Sequence, residues 1–451
     1  MTLLPWTSLA LVLALAPVPA APGTRAPTRG SAAAVAPRAR PAARAGAAAT
    51  PDPSAPHREL LPGGLELVVL PIRHARTASL RLVVRAGSAL DPPGKDGLAH
   101  VLEHLVLQGR GADGLDAVQA AAASGAYLNA FTQRDATTYV LDAPAETFPS
   151  LAARLLRGVT SPRLDLVDVA RELDVVGRED EYQGEGSAAI GLVEDALFRS
   201  RSFEATVIGA SGSRERIARE DLLRFFRANY TTASSTLVVS GAVTVEDARA
   251  LAADAILFPP ATRDEWPRPP VIEPALPVDE RIRAPFLAAV HGYRIEASDR
   301  TTCPAAAALI EHRLVAALTA REPLVRSVQA ACFTLRGVDF LLAFAYAPTL
   351  EASDLPDQMH RAFRSLGQPP TLDERRRMEQ RLSRQADWRR DDPAALATFV
   401  SNAAEIPRAA GATPLPAAGP VALPVDALRA LARRCFVPER RVLIFLSPFE
   451  G

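Results

Sequence analysis

The folded pattern of apolar and polar positions begins near Glu59, where a run of small residues gives way to recurring large aliphatic side chains. Leu65-Glu66-Leu67-Val68-Val69-Leu70 follows Gly63-Gly64 and reads as a strand entered from a turn. Ser79 to Val84 predicts a second strand with partial alternation. Between Gly97 and Leu107 the period changes, with Leu98, Val101, Leu102 and Leu105 on adjoining faces of a helix. A short Ala-rich helix over 116–124, a strand over 136–141 and a helix over 147–157 follow. Residues 163–183 predict a long helix whose apolar stripe is Leu166, Val169, Ala170, Leu173 and Val176. Beyond a proline-rich stretch the general order returns: a strand near 286–293, helix over 304–320, a strand around 338–346, more helix, and a last strand over 441–446. Strands mixed with helices, without a regular β-α-β rhythm, predict an α+β fold built from two layered domains.

The proline-rich stretch sets the boundary. Residues 258–277 hold seven prolines among charged side chains, which breaks any regular element. We therefore expect an N-terminal domain over 58–258, an interdomain linker over 259–277 and a C-terminal domain over 278–451. A chain of 451 residues suits two such domains. Residues 21–57 are mostly Ala, Pro, Gly and Arg, too poor in large apolar side chains to offset their ordering entropy, and predict a disordered tether. Ahead of it, the apolar run Leu9 to Ala16 and the small residues Val18-Pro19-Ala20 predict a signal peptide over 1–20, although no Lys or Arg precedes the run. The expected location is outside the cytoplasm, periplasmic or secreted, or membrane-tethered if the segment is uncleaved.

Charge narrows the function little. Lys+Arg and Asp+Glu both number 51, so nothing in the overall charge points to nucleic acid. No glycine-rich phosphate loop of the required spacing occurs, which argues against a nucleotide. The three cysteines, Cys303, Cys332 and Cys435, allow at most one intramolecular disulfide and no Cys-x-x-Cys metal site.

The candidate chemistry lies in Gly97-Leu98-Ala99-His100-Val101-Leu102-Glu103-His104. On a helix, positions i, i+3 and i+4 share a face, so His100, Glu103 and His104 project together. Two imidazoles one turn apart can bind one Zn²⁺, with the carboxylate beside the remaining coordination position; this is the inverted H-x-x-E-H pattern. The bland alternative is a helix with two surface histidines and an unrelated glutamate. A hydrolytic zinc site needs a third protein ligand. The long helix offers Glu172 and Glu179, two turns apart on one side, with Asp180, Glu181 and Glu185 close by. Spacing alone does not choose among them.

These residues resemble the pitrilysin and insulinase metallopeptidases, especially the processing-peptidase-like branch. Gly97 to His104 matches the Gly-Leu-Ala-His-x-x-Glu-His helix of that family, and Glu172 with Glu179 matches its second motif, Glu179 lying 75 residues beyond His104. Between them, Asn129-Ala130-Phe131-Thr132 matches the family's Asn-Ala-x-Thr segment, and Asp135 with Thr138-Tyr139 its later Asp and Thr/Tyr pair. Val83 to Ser88 resembles its lead-in strand.

The resemblance implies two homologous α/β-layer domains of the LuxS and processing-peptidase-like metallohydrolase fold, the second degenerate and closing a chamber over the first. It implies one Zn²⁺ per chain held by His100, His104 and Glu179, with Glu103 as general base and Glu172 holding a ligand imidazole by its other N–H. Asn129, Ala130 and Phe131 would lie along an extended peptide substrate. Arg321 would assist from the second domain, in a segment that departs from the family's Arg-Glu-x-x-Gly-Leu-x-Tyr pattern by lacking the Gly and the Tyr. The expected activity is zinc-dependent endopeptidase action on peptides or unfolded polypeptide, in a homodimer or a heterodimer with a related subunit. The alternative is a non-catalytic partner subunit or peptide-binding module. His291, His312 and His360 are expected to be isolated packing or surface residues.

Overall fold

The structure is a computed structural model that describes residues 55–108, 116–181, 185–198, 207–209, 211–258, 272–319, 327–335, 337–347, 355–404, 415–416 and 420–448. The expected signal peptide, nearly all of the tether, most of the linker, and Arg321 lie outside the described residues.

Two sheets organise the chain. The first contains β1 (His57–Leu60), β2 (Glu66–Pro71), β3 (Thr77–Val84), β4 (Tyr127–Thr132), β5 (Thr137–Pro144) and β6 (Ser235–Gly241), in the order β1-β2-β6-β3-β5-β4. The second contains β7 (Val278–Arg283), β8 (Leu287–Arg294), β9 (Ser327–Leu335), β10 (Val338–Ala347) and β11 (Arg441–Ser447), in the order β7-β11-β8-β10-β9. With β1 set aside, the two orders are the same. Each sheet pairs its first strand with its last in parallel (β2 with β6, β7 with β11), and its remaining neighbours are antiparallel. The fold class is α+β, the same layer built twice.

In the first half the helices are α1 (Leu98–Leu107), α2 (Ala117–Ala123), α3 (Phe148–Thr160), α4 (Leu166–Glu181), α5 (Glu185–Phe198), α6 (Arg219–Asn229) and α7 (Val245–Ala255). In the second they are α8 (Cys303–Thr319), α9 (Leu355–Ser365), α10 (Leu372–Asp391), α11 (Pro393–Ala404) and α12 (Val425–Cys435). Among the described residues no helix is long and apolar enough to cross a membrane. The stripe expected on α1 is buried, with Leu98, Val101, Leu102 and Leu105 joining Leu80, Leu82 and Leu141 of the first sheet. Thr244 begins α7 and Thr371 begins α10 as reciprocal capping boxes with Asp247 and Glu374, which satisfies end N–H groups on both helices.

The two halves exchange a helix. Ala189, Val193 and Leu197 of α5 lie in one buried cluster with Val290, Leu342 and Ile444 of the second sheet. In return, Leu396, Ala397 and Val400 of α11 cover Val68, Leu70 and Val238 of the first. A buried arginine ties this second contact: Arg81 donates to Asp142 Oδ1 at 2.7 Å and Oδ2 at 3.2 Å, and also to Ala394 O and Thr398 Oγ1 on α11.

Cys303 and Cys332 form the one disulfide that the cysteine count allows, joining α8 to β9, and Cys435 is free and buried. The histidines of the second half are less isolated than expected. His291, fully buried on β8, hydrogen-bonds the Val442 carbonyl oxygen through Nδ1, and its Nε2 lies 3.3 Å from Nδ1 of His360 on α9. Burial pushes His291 down to about 3, which keeps it neutral. The 69-residue separation hides the pair from any local reading.

If the arginine holds the exchanged helix, Arg81→Met leaves Asp142 unpaired and unties α11. We expect a loss of about 2–4 kcal/mol in denaturant unfolding and faster proteolysis within α11. An unchanged midpoint would mean that the apolar contact alone suffices.

Candidate metal centre

Local sequence sets the aim of α1. Gly97 stands at φ 93°, where a side chain is strained, and a Cβ there would come within 2.2 Å of the Ile208 carbonyl oxygen. Asp91 then caps the helix entrance, accepting the Gly97 N–H at 2.8 Å and the Ala99 N–H at 2.9 Å. Burial pushes Asp91 up to about 7 in spite of these donors. The helix is thereby fixed in direction before its polar face meets anything.

That face meets α4. His100 Nε2 lies 3.7 Å and His104 Nε2 3.4 Å from the same oxygen, Glu179 Oε2. The ligand atoms of the three residues all lie within 4.8 Å of one another. Donors about 2.0–2.1 Å from a tetrahedral ion stand roughly 3.4 Å apart, so the donor set fits a zinc-sized cation with a small closing movement. Glu172, 1% exposed, holds one ring: its Oε2 lies 3.3 Å from His104 Nδ1 and keeps a proton there, so that Nε2, facing Glu179, is the nitrogen free to exchange its own proton for a metal ion. Arg171 braces Glu172 from outside at 3.0 Å. The Glu179 side chain is 40% exposed, which leaves the outer side of the cluster open. His100 Nδ1 is buried and has no hydrogen-bond partner among the described residues.

Charge supports the same reading. Burial pushes His100 down to about 3. Burial would lower His104 too, but the carboxylates of Glu172 and Glu179 outweigh it and hold the ring up at about 10. The same bonds keep Glu172 and Glu179 below the usual carboxylate range although burial opposes them. Two acids thus converge on a buried imidazole that must carry a positive charge, as a proton or as a metal ion.

Glu103, buried on the same helix face, does not join the ligand set. Its Oε2 accepts a 2.6 Å bond from Thr132 Oγ1. Burial raises its affinity for a proton, opposed by His104 and by the bonds from Thr132. Asn129, Ala130 and Phe131 lie on β4, which stands at the end of the sheet and pairs with β5. The Ala130 N–H turns to Asn129 Oδ1 and the Asn129 amide donates to the Tyr127 hydroxyl, both bonds lying along the open edge. The sequence pattern gave no role to Asp91, Tyr127 or Tyr230 and marked Thr132 only within a motif. Thr132 reaches Glu103 and Tyr230 meets the Tyr139 hydroxyl only because the fold brings them up, whereas Asp91 and Tyr127 act on near neighbours and have no pattern of their own.

The second half keeps an echo of this centre. In element order α8 stands to the second sheet as α1 stands to the first, and Ile310-Glu311-His312 repeats Leu102-Glu103-His104 with Ala308 in the place of His100. Glu311 pairs with Arg381 at 2.6 Å and Arg313 with Glu374 at 2.9 Å, and Glu374 and Arg381 have the seven-residue spacing of Glu172 and Glu179. Ion pairs join α8 to α10 there, and among the described residues no second group of metal-ligating side chains converges.

Comparison with known proteins finds peptidases similar to this chain. Residues 67–210 match the family model described as Insulinase (Peptidase family M16). The chain is 28% identical over 193 residues to a probable mitochondrial-processing peptidase subunit beta of Arabidopsis thaliana, covering 42% of this chain and 36% of that protein. It is 33% identical over 200 residues to an uncharacterized zinc protease of Mycobacterium leprae, covering 43% and 44%. The matched region spans about two fifths of the length of these curated relatives. In fold, the chain resembles a protease from Helicobacter pylori with a TM-score of 0.72 at 16% identity, covering 88% of this chain and 100% of that one. It also resembles pitrilysin, with a TM-score of 0.65 at 18% identity over 89% and 46%. Residues 67–210 are thus similar to the insulinase family of peptidases.

The charge state of His104 yields a test. A raised imidazole contributes stability that is fully present below about 6.5 and is lost as pH rises toward about 10. The metal-free protein should weaken across that window and the zinc-loaded protein should not. Near neutral pH, zinc binding should release about one proton per ion, read by calorimetry in buffers of different ionisation heat. Binding with no proton release would contradict this account.

Proposed function

We propose that the chain is a zinc-dependent endopeptidase acting on peptides or unfolded polypeptide segments. The observation that carries this reading is the convergence of His100, His104 and Glu179 beside the buried carboxylate of Glu103, next to an exposed strand edge. His100, His104 and Glu179 would hold one zinc ion. Bound there, zinc supplies Lewis acidity and lowers the pKa of water toward about 7. Glu103 takes the proton of the attacking water and delivers it to the leaving amine, a role favoured by a carboxylate whose proton affinity burial has raised. Glu172 keeps the His104 ring in one tautomer throughout. Substrate lies along β4 as an added strand, held mainly by main-chain bonds, with Asn129 steering the scissile carbonyl and Ala130 and Phe131 lining the peptide.

The chain acts with a second subunit, identical or related, a reading supported by relatives named as processing-peptidase subunits. It works outside the cytoplasm. The Cys303–Cys332 bridge supports this, since disulfides persist in oxidising compartments. A non-catalytic binding role is the second reading, favoured by the fold likeness to an inactive family domain of Pseudomonas fluorescens, with a TM-score of 0.65 at 18% identity.

Cleavage of a quenched peptide library separates the two. Glu103→Gln should keep zinc and lose roughly 10²–10⁴-fold in turnover. Glu179→Ala should lose the metal, whereas Asp174→Ala on the outer face of α4 should keep it. Wild type that binds zinc yet cleaves nothing, alone or with a related subunit, would establish the binding role instead.

A further inference from the structure

Glu103 is held by a hydroxyl from the strand. Thr132 donates to Glu103 Oε2 at 2.6 Å, and its backbone N–H faces the same side chain. Thr132 is the last residue of β4, paired with Thr137 across the hairpin to β5. Its N–H points to the open side of the strand, as does that of Ala130 two residues earlier.

Thr132 is itself fixed from behind. The Thr137 hydroxyl donates to the Ala86 carbonyl oxygen at 2.8 Å. It lies 3.4 Å from the Thr132 hydroxyl and within reach of the Tyr230 hydroxyl, which in turn meets Tyr139 at 3.1 Å. A carbonyl can only accept, so Thr137 must spend its proton on Ala86 and offers Thr132 only lone pairs. The Thr132 proton then goes to the nearer and charged acceptor, Glu103. Thr137, Tyr139 and Tyr230 are fully buried, so the chain of hydroxyls ends inside the protein and serves orientation.

We propose that Thr132 is the positioning residue for Glu103, so that the strand which receives the peptide also sets the aim of the general base. This rests on the endopeptidase reading for its kinetic consequence but not for its geometry. A peptide added along β4 restrains the strand, and the hydroxyl of the strand's last residue holds one carboxylate oxygen, leaving the other for the water proton. Position would thereby be coupled to occupancy: a segment too short to engage β4 up to Thr132 meets a base less well aimed.

The experiment uses the full zinc-loaded chain and a quenched peptide. Thr132→Val, which keeps the shape and the backbone donor, should lower kcat roughly ten- to a hundred-fold with KM and zinc content unchanged. Thr132→Ser, which restores the hydroxyl, should recover most of the loss. Unchanged kcat in Thr132→Val overturns the proposal, as does a loss confined to KM or to bound zinc, which would mean a structural role. Crystals of zinc-loaded Thr132→Val provide a readout independent of cleavage. The Glu103 carboxylate is expected to leave its present place, and an unmoved carboxylate overturns the proposal even if the wild type proves inactive.

Discussion

A buried imidazole between two carboxylates is the constraint around which the first half of the chain is arranged. His104 takes Glu172 on one ring nitrogen and faces Glu179 with the other, while His100 reaches the same Glu179 oxygen from one turn earlier. Holding two acids against two largely covered imidazoles is costly unless a cation sits among them. Once α1 and α4 are pressed together on the first sheet, that cation becomes part of the fold's own balance. The comparison within the molecule makes the point. In the second half the equivalent helices are joined by Arg381 on Glu311 and by Glu374 on Arg313, so side-chain cations do there what an ion would do in the first.

The rest of the scaffold serves rigidity at that junction. Gly97 lets the chain turn sharply under Ile208, and Asp91 secures the first N–H groups of α1, so the direction of the histidines is set by backbone and not by flexible side chains. The exchange of α5 and α11 then ties the two layers through apolar contacts and through Arg81. The open edge at β4 therefore lies on a sheet whose far face is clamped, which suits a surface that accepts an extended chain.

The motif helix was legible in the sequence because its information is local. A 3.6-residue period and the i, i+3, i+4 placement of His100, Glu103 and His104 need no knowledge of the fold. The strands β2, β3, β8, β10 and β11 were legible for the same reason, as continuous aliphatic runs bounded by breakers. The strand β6 is buried throughout, and its short Leu237-Val238-Val239 run does not by itself tell strand from buried helix, while β9 is only half covered and shows no apolar run. The cysteine count allowed a bridge without naming its ends.

What the sequence determined by itself is the chemistry on offer: two imidazoles and a carboxylate on one helix face, a set of acids on a later helix, and two layered domains. Only the tertiary structure decided which acid turns toward the imidazoles, which one holds His104, and that Thr132 grips Glu103. The same holds for the pairing of Cys303 with Cys332, the contact of His291 with His360, and the helix each half lends the other. The physical reason is common to all of these. Periodicity reports which face of an element is buried, but not the partner it is buried against, and each of these contacts is made between elements that the chain keeps apart.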